Sequence, residues 1–200
     1  MNKAEKLHQE VLKVMDKLNY ADFILHLRRA PIEEIKNDCD RERAAYAMWL
    51  HSLVKLKKPK QVIELGAGWG NSTIMIGSVM PPDSKFYSVD LGLLKPPWGY
   101  LDQYYPSLTR ILGNDLDLSL YPEGTQLEKT DIWYIDSEHT ARHFRQELEL
   151  YSPYFKKGAI VACDDIHLND MEIVWNKLPY DKCDISYPCR PETGFGVFVV

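Results

Sequence analysis

Nowhere in the 200 residues does an apolar run approach the ~20 residues that a membrane-spanning helix needs. The opening stretch, MNKAEKLHQE, has no apolar h-region, so no secretory signal is expected. The four cysteines (Cys39, Cys163, Cys183, Cys189) include no C-x-x-C pair and fall in unlike contexts. They read as reduced thiols, and the expected compartment is the cytoplasm. Basic charge is not in excess: 24 Lys and Arg face 29 Asp and Glu, a formal net charge of −5. That excludes a general polyanion binder, and the composition has none of the bias of a disordered or fibrous chain. Internal repeats and low-complexity segments are missing too. What is present suffices for a core. With 45% hydrophobic and 12% aromatic residues, a chain of this length buries about 70% of its unfolded surface, as one domain or one domain with a small appendage.

Charge divides the chain near residue 60. Residues 1–60 hold 13 basic and 9 acidic residues, net +4, leaving 11 and 20, net −9, for the rest. The first part reads as a helical extension, with Val11, Leu12, Met15 and Leu18 at helical spacing, then Ala44, Ala47, Met48, His51 and Leu53 to Leu56. Pro31 interrupts the pattern and opens a short PIEEI segment. The Lys55–Lys60 run reads as a helix C-terminus, where cations suit the dipole, with Pro59 as a stop.

Beyond residue 60 the period changes. Short β-rich runs (61–65, 85–90, 109–113, 131–136, 158–165, 183–187 and 194–200) alternate with helical candidates near 71–80, 114–121, 141–154 and 168–178. Such alternation predicts an α/β fold, a doubly wound, mostly parallel seven-stranded sheet with helices on both faces. VIEL, IWYI and AIVAC are apolar on both faces, as strands covered on both sides require. CDISY and GFGVFVV have only Pro- and Gly-rich loop between them, which predicts an antiparallel hairpin closing one edge.

The most informative stretch is Glu64-Leu-Gly66-Ala-Gly68-Trp-Gly70-Asn-Ser72-Thr73, where a buried strand turns into a helix. Glycines there let backbone approach a ligand, and the helix start offers free N–H groups to an anionic group. A dinucleotide fingerprint needs G-x-G-x-x-G, but Asn71 stands at its last glycine. The pattern is E-x-G-x-G-x-G, and Asp90 closes the next strand 20 residues beyond Gly70, where a carboxylate suits both hydroxyls of a ribose. A tight turn without a ligand is the alternative. ELGAGWG followed by SVD resembles class I S-adenosylmethionine-dependent methyltransferases over residues 61–200. The resemblance implies S-adenosylmethionine as cofactor, with the methionine moiety on Gly66, Gly68 and Gly70 and the ribose on Asp90. It implies an adenine contact at Asn114 or Asp115 after the third strand. The cofactor site it implies further takes in Glu64, Ala67, Ser72, Leu91 and Asp136.

A second constellation is Asp136-Ser-Glu138-His139 after the fourth strand, with Asp164-Asp165-Ile-His167 after the fifth. In a doubly wound sheet these strand ends are neighbours, ~4.8 Å apart, on the rim that carries the Gly-rich turn. Two like charges at ~5 Å cost about 3 kcal/mol at an effective dielectric of 20, so a divalent cation, a retained proton or a Lys/Arg partner must compensate. Neither segment itself carries a Lys or Arg, and all-oxygen ligands favour Mg²⁺, Mn²⁺ or Ca²⁺. The alternative makes Asp136 and Asp165 helix N-caps and leaves Asp164 solvated. YID…DD with an ELxLYxPxxxxGxIV spacer resembles metal-dependent small-molecule O-methyltransferases of the macrolide-sugar and cephalosporin-tailoring type. That resemblance implies Mg²⁺ on Asp136, Asp164 and Asp165, although Ser-Glu-His follows Asp136 here where that group often has Gly-Asp.

Methyl transfer from a sulfonium has a neutral leaving group, so a protein need only align the reactants and expose a deprotonated nucleophile. By intrinsic pKa His139 suits the base, with Glu138 and His167 as alternates. Leu93–Tyr105, LLKPPWGYLDQYY, is a candidate lid or acceptor wall carrying Trp98, Tyr100, Tyr104 and Tyr105. The first 60 residues are candidates for covering the acceptor pocket or for homo-oligomer contacts. The expected activity is metal-assisted methylation of a hydroxyl on a small molecule, with neither nucleic acid nor membrane as partner. A metal-independent N- or protein methyltransferase, a non-catalytic cofactor-binding module and an oxidoreductase are the alternatives. The N-P-P-[YF] motif of nucleic-acid amino-methylating enzymes is missing, and net −9 on the catalytic part opposes phosphate-backbone binding.

Overall fold

The computed structural model describes residues 1–18, 45–68, 70–92, 105–190 and 192–200. The expectations for Pro31 and PIEEI, Ala44, Cys39, and Trp98, Tyr100 and Tyr104 of the candidate lid fall outside them. In chain order the elements are α1 (Lys3–Met15), α2 (Ala45–Lys57), β1 (Gln61–Leu65), α3 (Asn71–Gly77), β2 (Lys85–Asp90) and β3 (Leu108–Leu112). There follow β4 (Ile132–Ile135), α4 (Ala141–Tyr151), β5 (Ile160–Asp164), α5 (Met171–Trp175), β6 (Asp181–Asp184) and β7 (Phe195–Val199). Among the described residues no helix is long and apolar enough to cross a membrane.

The seven strands form one sheet in the order β3-β2-β1-β4-β5-β7-β6. The first five are parallel, and β7 runs antiparallel between β5 and β6. Side chains alternate across the sheet as the two-residue period demands. Val62, Ile132, Tyr134, Ala162 and Val197 pack with α1, α2 and α3. Ile63, Trp133, Ile135, Val161 and Phe198 pack with α4 and α5. Trp133 is fully buried, its ring centroid 5.3 Å from Tyr151 and 5.2 Å from Phe155. Truncating it to Ala is expected to cost about 3–5 kcal/mol.

The N-terminal helices join this structure directly. Asn2 and Glu5 form a capping box at the start of α1, and the Asn2 amide donates to the Lys182 carbonyl of β6 (3.0 Å). Ala4, Leu7 and Val11 are buried, and α1 contacts α2, β6 and β7. At the other end of the N-terminal part, α2 stops at Lys57 and Lys58 turns left-handed (φ 48°) ahead of Pro59.

Three segments differ from the pattern read in the sequence. Between β3 and β4 the described chain has two single 3₁₀ turns, Leu118–Leu120 and Leu127–Lys129, where a helix over 114–121 was expected. Asn114 and Asp117 accept N–H groups two residues ahead, satisfying locally the backbone a helix would need. β6 ends at Asp184, short of the expected 187, because the Asp184 carboxylate accepts the Ser186 N–H (2.9 Å) and hydroxyl and turns the chain. The expected helix over 168–178 shrinks to Met171–Trp175, preceded by left-handed Asn169.

Candidate active site

Chain order runs from β1 outward to β3, then returns to β4 on the far side of β1. A ligand crevice is expected at such a reversal, outside the carboxyl ends of the strands. There lies a cavity of about 720 Å³. The Gly-rich turn, Asp90, Leu91, Asn114 and Asp115 line one part of it. Tyr46, Asp136, Ser137, Glu138, His139, His143 and Arg190 line the rest.

The turn is shaped by its glycines. Gly66 has φ 83° and Gly68 φ 48°, both in the left-handed region that other residues enter at a cost. Gly66 also passes so close to the chain leaving β4 that a Cβ would meet the Asp136 carbonyl oxygen at 2.0 Å. The N–H groups of Ala67 and Gly68 donate to Asp90 Oδ2 (both 2.9 Å), and Gly92 N–H donates to Oδ1 (2.9 Å). Asp90 thus ties the turn to the end of β2 and still faces the cavity. Glu64 lies beneath the turn, fully buried and away from the cavity lining. Its Oε2 accepts from the Thr73 (2.6 Å) and Ser88 (2.5 Å) hydroxyls, whereas Oε1 has no partner. Burial pushes its carboxyl up to about 7. Asn71 and Ser72 border the cavity at the start of α3, whereas Gly70, expected on the methionine moiety, caps the helix and does not line it.

After β3, Asp115 Oδ2 lies 2.9 Å from His143 Nε2. Burial is the largest influence and raises the Asp115 carboxyl, but the hydrogen bond and charge of His143, together with the neighbouring Glu147 and Ser137, outweigh it and hold the group below the ordinary range. The same bond lifts His143 above its usual value.

The ends of β4 and β5 bring the expected carboxylates together in an unexpected arrangement. Asp136 Oδ1 lies 3.1 Å from His139 Nε2, and Asp165 Oδ2 lies 3.0 Å from Nδ1. Asp136 Oδ2 accepts the Tyr134 hydroxyl (2.8 Å). Held by hydrogen bonds to Asp136 and then Asp165, His139 is raised to about 10. It is an imidazolium at neutral pH, with both nitrogens donating and no lone pair for a substrate proton. Asp164 is fully buried, and both its oxygens take Arg190, Nε at 3.2 and 3.3 Å and Nη2 at 3.0 Å. Burial and then the Asp136 charge push Asp164 up, and Arg190 opposes them. The Arg190 guanidinium also lies 4.5 Å from the centre of the Tyr46 ring. Neither Asp164 nor Asp165 lines the cavity. His167 also lies off it, with Nε2 2.7 Å from Asp184 Oδ2.

Arg190, His143 and Tyr46 were not anticipated from the sequence. Arg190 lies far along the chain and reaches Asp164 only because β7 returns beside β5. His143 carried a weak signal, its i, i+4, i+8 spacing with Glu147 and Tyr151 on a helix.

The sheet order, the Gly-rich turn at the reversal and the acid ending β2 define a class I methyltransferase architecture. Residues 63–166 match the family model described as methyltransferase domain, and the chain belongs to that family. No curated protein matches the sequence. Among solved structures it is similar to the O-methyltransferase TomG from Streptomyces achromogenes, involved in tomaymycin synthesis and solved with S-adenosylmethionine. The identity is 16% over all of this chain and 99% of that one, with TM-score 0.60. A methyltransferase from Geobacter sulfurreducens is 14% identical, over 94% of this chain and 96% of its own, also with TM-score 0.60. At such identities the likeness is one of fold.

Proposed function

We propose that the protein transfers the methyl group of S-adenosylmethionine to a hydroxyl of a small molecule. One observation carries the reading: a single cavity joins the Gly-rich turn, Asp90 and Asp115 to a rim of carboxylates, imidazole and Arg190. The volume suits a cofactor with a small acceptor beside it. The donor's ribose hydroxyls go to Asp90, its adenine to the Asn114–Asp115 end and its methionine moiety to the turn. Tyr46 of α2 borders the acceptor side, which supports a covering role for the N-terminal segment.

The divalent ion implied by the resemblance does not fit Asp136, Asp164 and Asp165 as folded. Arg190 occupies both oxygens of Asp164, and His139 takes one oxygen each from Asp136 and Asp165. The donors that do lie together, within 4.8 Å, are Asp136, His139 and Asp165, unlike the all-oxygen shell favoured by Mg²⁺ or Ca²⁺. Three carboxylates already face two cations of the chain itself, so the transfer is read as metal-independent. Since His139 cannot accept a proton, Glu138 is the base in this reading. It lines the cavity, and its side chain is 64% exposed. The acceptor oxygen attacks the methyl carbon, the carbon–sulfur pair departs on a neutral thioether, and the hydroxyl proton passes to Glu138.

A thermal-shift matrix tests both parts. S-adenosylmethionine or its demethylated product is expected to stabilise the protein and NAD to leave it unchanged. Mg²⁺ is expected to add nothing, with or without donor. Stabilisation by NAD alone overturns the donor reading. Stabilisation by Mg²⁺ that Asp136→Ala abolishes overturns metal independence.

A further inference from the structure

His143, Glu147 and Tyr151 stand four residues apart on α4, so one stripe of the helix carries all three. His143 and Tyr151 reach the segment after β3, and Glu147 between them reaches the segment after β4. His143 meets the Asp115 carboxylate (2.9 Å), and the Tyr151 hydroxyl donates to the Asp115 carbonyl. Glu147 is buried. Its Oε1 accepts the Ser137 hydroxyl (2.7 Å) from the segment after β4, and its Oε2 has no hydrogen-bond partner. One donor atom each from Asp115, His143 and Glu147 lies within 4.8 Å of the others. The stripe therefore joins two walls of the cavity, since Asp115, Ser137 and His143 all line it.

We propose that His143 and Glu147 are positioning residues that hold the Asp115 carboxylate as an obligate acceptor for the exocyclic amine of adenine, and so set the donor's base specificity. This rests on the reading that the cavity takes an adenosyl donor. An ionised carboxylate has about four acceptor positions and no donor. With one spent on His143, Asp115 still has others for an N–H₂ and repels a carbonyl in the same place. Burial, followed by the adjoining Asp115 carboxylate and opposed by the Ser137 hydrogen bond, raises Glu147 well above the usual carboxylate range. It therefore keeps a proton and does not compete with Asp115 for the imidazolium. Asp115 against His143, with Glu147 neutral, balances the cluster without an ion.

The test compares S-adenosylhomocysteine with S-inosylhomocysteine, which replaces the amine by a carbonyl, using calorimetric titration of the full chain. The wild type is expected to prefer the adenosyl compound by roughly a hundredfold or more. His143→Ala is expected to weaken adenosyl binding about tenfold and to cut the preference by a similar factor, as the loss of a charged hydrogen bond implies. Glu147→Gln, an isostere of the protonated acid, is expected to recover most of what Glu147→Ala loses. A purely structural role would lower both affinities alike. If His143→Ala does not fold, His143→Gln retains a donor without the charge and is judged by the same ratio. Adenosyl binding with an unaltered preference overturns this inference alone. Failure of the wild type to bind S-adenosylhomocysteine overturns the donor reading and this inference with it. Zn²⁺ or Mn²⁺ stabilisation of chelator-treated protein that Glu147→Gln abolishes also overturns it, because the cluster would then be an ion site.

Discussion

Two glycines of one turn should respond very differently to the same added methyl group. Gly66 and Gly68 both have positive φ, 83° and 48°, so alanine at either position pays about 1–2 kcal/mol of left-handed strain. Around Gly68 a Cβ meets nothing within 4 Å, and the strain is the whole cost. Around Gly66 it meets Asp136 O at 2.0 Å, Asp136 C at 2.4 Å and Ser137 Cα at 2.6 Å. These are backbone atoms and cannot rotate aside. Relief requires the end of β4 to move from β1, where Asp136 N–H donates to the Leu65 carbonyl (2.8 Å). Overpacking adds about 1–3 kcal/mol and the loss of that hydrogen bond about 1 kcal/mol. Gly66→Ala is therefore expected to destabilise by about 3–6 kcal/mol, roughly three times the cost of Gly68→Ala. For a chain of this size each kcal/mol moves Tm by about 2–4 °C. Urea unfolding of both variants alongside the wild type measures the difference directly. Equal costs, or Gly66→Ala within about 1 kcal/mol of the wild type, would refute the close approach of the two strands at the rim.

Removing Arg190 should strip a buried carboxylate of its counter-charge. Arg190→Ala is expected to cost about 3–5 kcal/mol, with Arg190→Lys only a partial remedy because the bidentate fork is lost. Adding Asp164→Asn to Arg190→Ala should restore part of the loss in a denaturation double-mutant cycle, and strict additivity would contradict the pairing. Glu64 gives a pH signature. Its folded pKa, near 7, lies above the unfolded value of 4.5. Its favourable contribution is complete below about pH 4.5 and declines as pH rises to about 7, on the order of 3 kcal/mol in all. Glu64→Gln should flatten that slope in stability measured from pH 4 to 8. Asp90→Ala leaves the amides of Ala67, Gly68 and Gly92 without their acceptor, and a drop of tenfold or more in S-adenosylhomocysteine affinity is expected by titration calorimetry. Retention of wild-type affinity would remove Asp90 from the donor site.

Much of the fold was legible because its signals are local. VIEL, IWYI and AIVAC are apolar on both faces, and all are buried strands. The Gly-rich turn marked the strand-to-helix bend at which the cavity lies. The antiparallel pairing of β6 with β7 followed from the short loop before GFGVFVV. What eluded the sequence depends on distance along the chain or on competition within a turn. Arg190 is 26 positions from its partner Asp164, and no spacing rule links them. The carboxylate cluster was foreseen, but not that His139 would lie between Asp136 and Asp165 with both nitrogens committed. Intrinsic pKa suggested a base, and the neighbours made a cation. The 3₁₀ turns after β3 arose where Asn114 and Asp117 capture their own backbone.

The placement of β7 has a consequence for synthesis. The segment that fills the slot between β5 and β6 leaves the ribosome after both of them, and Arg190 travels with it. Until translation passes Val199, β5 exposes an unpaired ladder of amides and carbonyls, an invitation to pairing with another nascent chain. Over the same interval Asp164 has no guanidinium beside it. Sheet closure and charge neutralisation therefore arrive as one late event, and a ribosome stalled near codon 185 should hold a product open to protease along that edge.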